Sequence, residues 1–221
     1  GLYAAHNHVD DEVAAGLYLG GWDTLRRGIC THLMDPDLGL LGNTEESAAE
    51  AIDLSAVAAM NYGLVDAQGT DADNTLASFE ATLAVANGMG FKRNDDGDLY
   101  DEQEWVVMDL AMAEAYRRNC QLDKARAIEG WITEQAWLNN FNIPELMNPE
   151  TGAYAGPTPM LGYGAGAYIL ELYNREDAAV DCANGPSQSC EELLEGDGED
   201  DTGDTPPPDD EGPPAGDDDG E

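Results

Sequence analysis

Glu145 lies in the stretch Asn142-Ile143-Pro144-Glu145-Leu146-Met147-Asn148-Pro149-Glu150-Thr151-Gly152, with Pro157-Thr158-Pro159 close behind. Proline lacks a backbone donor and its ring clashes with the preceding helical turn. The carboxylate is therefore presented from irregular backbone between two helical stretches, where scaffolds commonly display working groups. So placed, it could take a proton from water or accept a hydroxyl. A lone glutamate can equally be plain surface. A second loaded stretch runs Phe91-Lys92-Arg93-Asn94-Asp95-Asp96-Gly97-Asp98-Leu99-Tyr100 and on to Trp105. It fails as a calcium loop, because counting Gly97 as the sixth position puts a cation, Lys92, at the first ligand. It reads better as a sugar site, with Arg93 and Asp98 to bond hydroxyls and Tyr100 and Trp105 to stack on a ring. The alternative is a solvated polar turn ahead of a helix. A third stretch, His6-Asn7-His8 with Asp10, Asp11 and Glu12, could in principle ligate a metal. It reads instead as a polar N-terminal loop, and neither a metal nor a cofactor is expected.

The elements that must carry these loops are helical. Apolar residues recur at three- and four-residue spacing almost throughout. Ala14, Leu17, Tyr18, Trp22, Leu25 and Ile29 make one stripe, which Gly20-Gly21 could interrupt. Further stripes give helices expected near 11–31, 53–65, 75–88, 102–119, 122–138 and 161–174. Asp53 is a plausible cap for the second, and Asp101 with Glu104 has capping-box spacing for the fourth. The sixth opens Leu161-Gly162-Tyr163-Gly164-Ala165-Gly166-Ala167. Glycine costs about 1 kcal/mol per helical position relative to alanine, so this helix suits a tightly packed inner position. No alternating strand pattern is visible, and no sheet of three or more strands is expected.

Charge narrows the partners. The chain of 221 residues carries 46 acids against 9 bases, a net charge of −37. Residues 176–221 hold 18 of the acids, no base and six of the 11 prolines. Such a tail cannot bury enough apolar surface to offset its ordering entropy, so a disordered acidic linker is expected over 191–221. Nucleic acid is an improbable partner because phosphates would be repelled. No run long and apolar enough for membrane insertion exists. A neutral substrate fits this charge. The chain reads as a piece of a longer protein. Cys182 and Cys190 flank a Gly-Pro-Ser loop, and a short disulfide between them would close the fold over 181–190. That favours an oxidising compartment: extracellular, periplasmic or cell surface. Two reduced thiols are the alternative. Cys30 and Cys120 read as core thiols.

Taken in order, the motifs resemble the second half of the glucoamylase-like glycoside hydrolases, family 15, the six-hairpin glycosidases. The matching pieces are Leu25-Arg26-Arg27, Asp35-Pro36-Asp37-Leu38-Gly39, Asp53-Leu54-Ser55, Thr75-Leu76, Arg93, Asp98-Leu99-Tyr100, Trp105, Pro144-Glu145 and Asn148-Pro149-Glu150-Thr151-Gly152. They cover about residues 20–175. The resemblance implies an all-α (α/α)6 toroid, about half of it present, with a partial catalytic domain over 1–180. It implies inverting hydrolysis of α-glucosidic bonds, with Glu145 as general base and the general acid in the upstream half of the same barrel. It implies that Arg93 grips the terminal glucose and that Trp105 lines a subsite. The pattern departs in three places. Leu146 stands where the family has Gln, Pro159-Met160-Leu161-Gly162-Tyr163-Gly164-Ala165 lacks the family's Trp and Ser, and one residue is inserted between Arg93 and Asp98. Two other readings share the fold: a non-catalytic saccharide-binding or regulatory toroid, as in the regulatory subunits of phosphorylase kinase, and a different helical-toroid glycosidase or lyase.

Overall fold

The computed structural model describes residues 11–43, 52–157, 162–175, 182 and 185–195. The His6-Asn7-His8 motif, Pro159 to Leu161 and the acidic stretch 196–221 lie outside the described residues. The chain is a partial helical toroid. Its elements are α1 (Glu12–His32), a small hairpin β1 (Met34–Asp35) and β2 (Leu40–Leu41), a 3-10 turn (Leu54–Val57) running into α2 (Ala58–Asn61), and α3 (Thr70–Leu83). Then follow β3 (Glu104–Trp105), α4 (Val106–Arg118), α5 (Leu122–Leu138), β4 (Leu146–Met147), β5 (Tyr154–Ala155), α6 (Gly162–Asn174) and α7 (Cys190–Glu195). No helix among the described residues is long and apolar enough to cross a membrane.

Helix α4 is the hub. Val106, Leu110, Met112, Ala113, Ala115 and Tyr116 are buried around nearly its whole circumference. It packs on α5, α6 and α2. Helix α5 buries one stripe, Ala125, Ile128, Ile132 and Ala136, as an outer helix should. Helix α6 lies against α4, yet its only buried residues are Gly164 and Glu171. Two contacts offset its poor intrinsic propensity. A Cβ at Gly164 would stand 3.3 Å from Ile143 Cγ2, so the glycine lets the helix approach the Glu145 loop. Glu171 pairs with Arg117, which also bonds Glu129 at 2.7 Å and lies 3.6 Å from Glu114. One buried guanidinium thus ties α4, α5 and α6 together.

Several expectations are corrected. Gly20-Gly21 does not interrupt α1, which runs unbroken from its Asp11 cap, where Ala14 N donates to Oδ1 at 2.9 Å. Its stripe is largely open: Leu17, Tyr18 and Leu25 are exposed, and Ala15, Arg26, Ile29 and Cys30 are the buried residues. Helix α3 begins five residues before its expected start and stops at Leu83, because Ala84 turns extended and bridges to Phe91. Helix α4 starts at Val106, not 102, since Glu104 and Trp105 form a strand. A three-stranded antiparallel sheet does exist, in the order β3-β4-β5. Its strands are two residues each, too short to show an alternating pattern. Asp53 does cap its turn, accepting from Ser55 N at 2.8 Å.

The disulfide pairing is also corrected. Cys182 and Cys190 do not pair with each other. Cys30 joins Cys190 and Cys120 joins Cys182, so neither Cys30 nor Cys120 is a free core thiol. The physical reason is tertiary: α7 lies on α1. Arg26 donates to the Gln188 carbonyl at 2.6 Å and Arg27 to the Leu193 carbonyl at 3.3 Å, seating Cys190 beside Cys30. The first residues of the expected linker, Glu191–Glu195, therefore belong to α7, with Leu193 buried.

Candidate active site

The Glu145 loop is built by a hairpin. Asn148 Oδ1 accepts from Glu150 N at 3.0 Å and Thr151 N at 2.9 Å. Gly152 closes the turn at φ +69°, and its missing side chain leaves room for the Trp131 ring. The turn sets β4 against β5 (Met147 opposite Tyr154) and β4 against β3 (Leu146 opposite Trp105). Val106 N then donates to the Glu145 carbonyl at 3.2 Å. The backbone on the C-terminal side of Glu145 and its own carbonyl are thereby fixed, at the start of the central strand, and the residue is half-buried.

Two tyrosine hydroxyls hold the carboxylate. Tyr100 Oη donates to Glu145 Oε1 at 2.9 Å, and Tyr163 Oη donates to the same oxygen at 3.1 Å. Both rings are 45 % exposed, so the site faces outward. The hydrogen bond to Glu145 raises the Tyr100 hydroxyl above its ordinary value, with burial adding to it. Burial, with the bond to Glu145 second, pushes Tyr163 up to about 12. Both hydroxyls remain protonated donors at any physiological pH. Among the described residues Oε2 receives no hydrogen bond.

The other expected residues gather here in unequal roles. Tyr100 meets Trp105 edge-on with centroids 5.0 Å apart, and Trp105 Nε1 donates to the Tyr100 carbonyl at 3.3 Å. The Arg93 guanidinium lies 5.6 Å over the Trp105 ring and 3.5 Å from Asp101. Trp105 is only 7 % exposed. In this arrangement it is a floor under Arg93 and Tyr100, and the open aromatic face is that of Tyr100. Asp98 Oδ1 accepts from Tyr100 N at 2.8 Å, which fixes the turn that carries the tyrosine. Glu104 is not a helix cap. It is fully buried, with Oε1 accepting from Trp131 Nε1 and Oε2 from Asn87 Nδ2, both at 2.6 Å. Neither Tyr163 nor Asp101 was expected at the site from the sequence, where Asp101 read as a helix cap. Tyr163 had a signal, being an aromatic on the first turn of the glycine-rich helix behind the prolines.

A carboxylate with one anchored oxygen and one free oxygen can orient and deprotonate water. An arginine and a half-exposed tyrosine beside it can bind hydroxyls and a sugar face. The neighbouring acids are otherwise engaged: Asp101 faces Arg93, and Glu102 pairs with Lys92. Among the described residues no group of three or more His, Cys, Asp or Glu could hold a metal ion.

No family pattern matches the chain, and no curated protein does. Solved structures do. A wild-type glycosidase superimposes with a TM-score of 0.62 at 21% identity, over 80% of this chain and 49% of that one. The chain shares its helical fold. A glutamate-to-alanine glycosidase variant in complex with glucose matches at a TM-score of 0.62 and 20% identity, over the same shares of the two chains. A tyrosine-to-phenylalanine glycosidase variant gives 0.61 and 22%. The chain spans about half the length of these structures.

Proposed function

We propose that this chain is the base-bearing half of a glycoside hydrolase of the glucoamylase type, acting on α-glucosidic bonds with inversion. The observation that carries the reading is the Glu145 carboxylate, held at Oε1 by Tyr100 and Tyr163 with no hydrogen bond to Oε2 among the described residues. Glu145 takes a proton from a water as that water attacks the anomeric carbon. A carboxylic acid on the opposite side of the sugar, about 6.5–9.5 Å away, protonates the leaving oxygen. Arg93 and Tyr100 bind the terminal sugar, with Trp105 beneath them. The net charge of −37 favours a neutral glucan over an anionic polymer, and one of the matching glycosidases was solved with glucose.

The acid belongs to a second helical half that completes the ring. The exposed apolar residues Ile169, Leu170 and Tyr173 on α6 and Leu17, Tyr18 and Leu25 on α1 support such a partner. So does a hollow of about 520 Å³ between α2, α4 and α6, lined by Val57, Met108, Ala111 and Leu170. The two disulfides support an extracellular, periplasmic or surface location. A specific observation keeps a second reading, a non-catalytic saccharide-binding toroid: the two acids that follow Tyr100, Asp101 and Glu102, are both engaged in ion pairs. Glucose release from maltooligosaccharides by the ring-completed protein, with the product anomer followed by NMR, decides between them. Release of the β-anomer supports inverting hydrolysis. Saccharide binding without release supports the second reading.

A further inference from the structure

Behind the rim, Glu104 and Asp109 face each other in the core, both at 0 % exposure. Their partners are all neutral. Glu104 takes the Trp131 indole and the Asn87 amide, and Asp109 Oδ1 accepts from Phe91 N at 2.7 Å. The remaining oxygen, Asp109 Oδ2, is buried with no hydrogen-bond partner among the described residues, and both carboxyls lie against the same Gly90-Phe91 segment: Phe91 N donates to Asp109, and a Cβ on Gly90 would stand 2.4 Å from Glu104 Oε1. The titratable groups on the surrounding elements are engaged elsewhere. On the loop after α3, Lys92 pairs with Glu102, and Arg93 with Asp101. On α5, Glu129 pairs with Arg117. On the β4–β5 hairpin, the Tyr154 hydroxyl donates to the Gln135 and Asn142 carbonyls. Among the described residues no cation reaches either carboxyl. Two buried carboxylates in contact without a cation cannot both ionise.

We propose that Glu104 and Asp109 share one proton, held on Asp109 Oδ2 and donated to Glu104, and that this pair pins the strands presenting Glu145 and Trp105. The orphaned Oδ2 is then a donor with an acceptor in front of it. Glu104 stays an anion, which its two strong donors require. Burial, followed by the Glu104 charge, raises Asp109 well above the ordinary carboxylate range, and burial raises Glu104. The pin joins four parts of the chain. Asn87 and Phe91 come from the loop after α3, Trp131 from α5, Asp109 from α4 and Glu104 from β3, whose neighbour β4 follows directly on Glu145. Gly90 is required at the contact, since a Cβ there would strike the Glu104 carboxyl. Glu104 and Asp109 are positioning residues and do not touch substrate. The inference holds whether or not the rim hydrolyses sugars.

The linkage has a definite sign. A carboxyl held protonated above its ordinary value binds a proton that the unfolded chain releases. The pair's contribution to stability is therefore complete below about pH 4 and is lost as pH rises through the raised folded value. The test compares the protein with Asp109→Asn and Glu104→Gln, measuring Tm from pH 5 to pH 9. The carbonyl infrared band of a protonated carboxyl is read alongside. Asn reproduces both the acceptor for Phe91 N and the donor for Glu104, so Asp109→Asn should hold Tm within roughly 3 °C at pH 5. It should flatten the fall toward pH 9 and abolish the infrared band. Glu104→Gln turns an amide against one of two donors and should lower Tm by roughly 5 °C or more at every pH. If Glu104→Gln does not fold, the slope and band of Asp109→Asn decide alone. An unchanged slope, a surviving band, or an Asp109→Asn variant as damaged as Glu104→Gln would overturn the shared proton.

Discussion

Glu104, on β3, and Glu145, in the loop that leads into the neighbouring β4, carry the same functional group, yet their surroundings are opposite. Glu104 is sealed in the core, with the Trp131 indole and Asn87 amide on its two oxygens and a second carboxyl behind it. Glu145 is half-buried just before the central strand, with both tyrosine hydroxyls on one oxygen and no hydrogen bond to the other among the described residues. In the first case every oxygen is occupied and no solvent can reach it, so the group can hold structure but cannot act on a ligand. In the second the carboxylate is aimed without being saturated, which is the condition for a base. The difference lies in how many donors the fold supplies and whether one lone pair is kept for water.

That contrast can be broken from either side. The largest effect is expected from Glu104→Ala. It strands the Trp131 and Asn87 donors and opens a cavity, a loss of about 3–5 kcal/mol. Thermal denaturation should show a Tm lower by roughly 10 °C or more. Glu145→Ala should shift Tm by no more than about 2 °C, because it removes a rim contact. Equal Tm losses would erase the distinction between pin and rim.

The next effect sharpens the rim side. Tyr163→Phe removes one of the two donors on Oε1. Combined with Tyr100→Phe it should cut turnover of the ring-completed protein by about tenfold, in keeping with the loss of one or two hydrogen bonds. Steady-state kinetics on maltooligosaccharides would read this in kcat. The pH dependence follows from the same bonds. The stability Tyr163 contributes is complete below about pH 10, its unfolded value, and is lost as pH rises through its folded value of about 12. An activity loss between pH 7 and 9 should therefore persist unchanged in Tyr163→Phe. The smallest effect is expected from Asp98→Ala. It removes only the cap on the Tyr100 turn, at about 1 kcal/mol or less, and should weaken saccharide affinity severalfold at most in calorimetry.

Part of this was legible in the sequence. The bounds of α1, α5 and α6 lie within one residue of those expected from apolar spacing, and the gathering of Arg93, Tyr100 and Trp105 with Glu145 follows from the ordered motifs. Glu104 was misread because its spacing from Asp101 imitates a capping box. What turns it inward is Trp131 and Asn87, distant in sequence and brought near only by packing. The cysteine pairing was missed for the same reason: the partners stand 160 and 62 residues apart, and sequence neighbours looked closer. Trp105 carried a sugar-stacking signature, yet its face is covered by Arg93, a burial that residue type alone cannot report. Tyr163 was passed over because its neighbours are glycines, which drew attention to packing instead of to the ring.

Glu145 is proposed to act as the base through its second oxygen. That role is tested most directly by Glu145→Gln in the ring-completed protein, with glucose release measured at saturating maltooligosaccharide and Tm measured in parallel. The account predicts a rate at least about a hundredfold lower, with Tm unchanged within about 2 °C. A rate equal to that of the unsubstituted protein, with the fold intact, would contradict it.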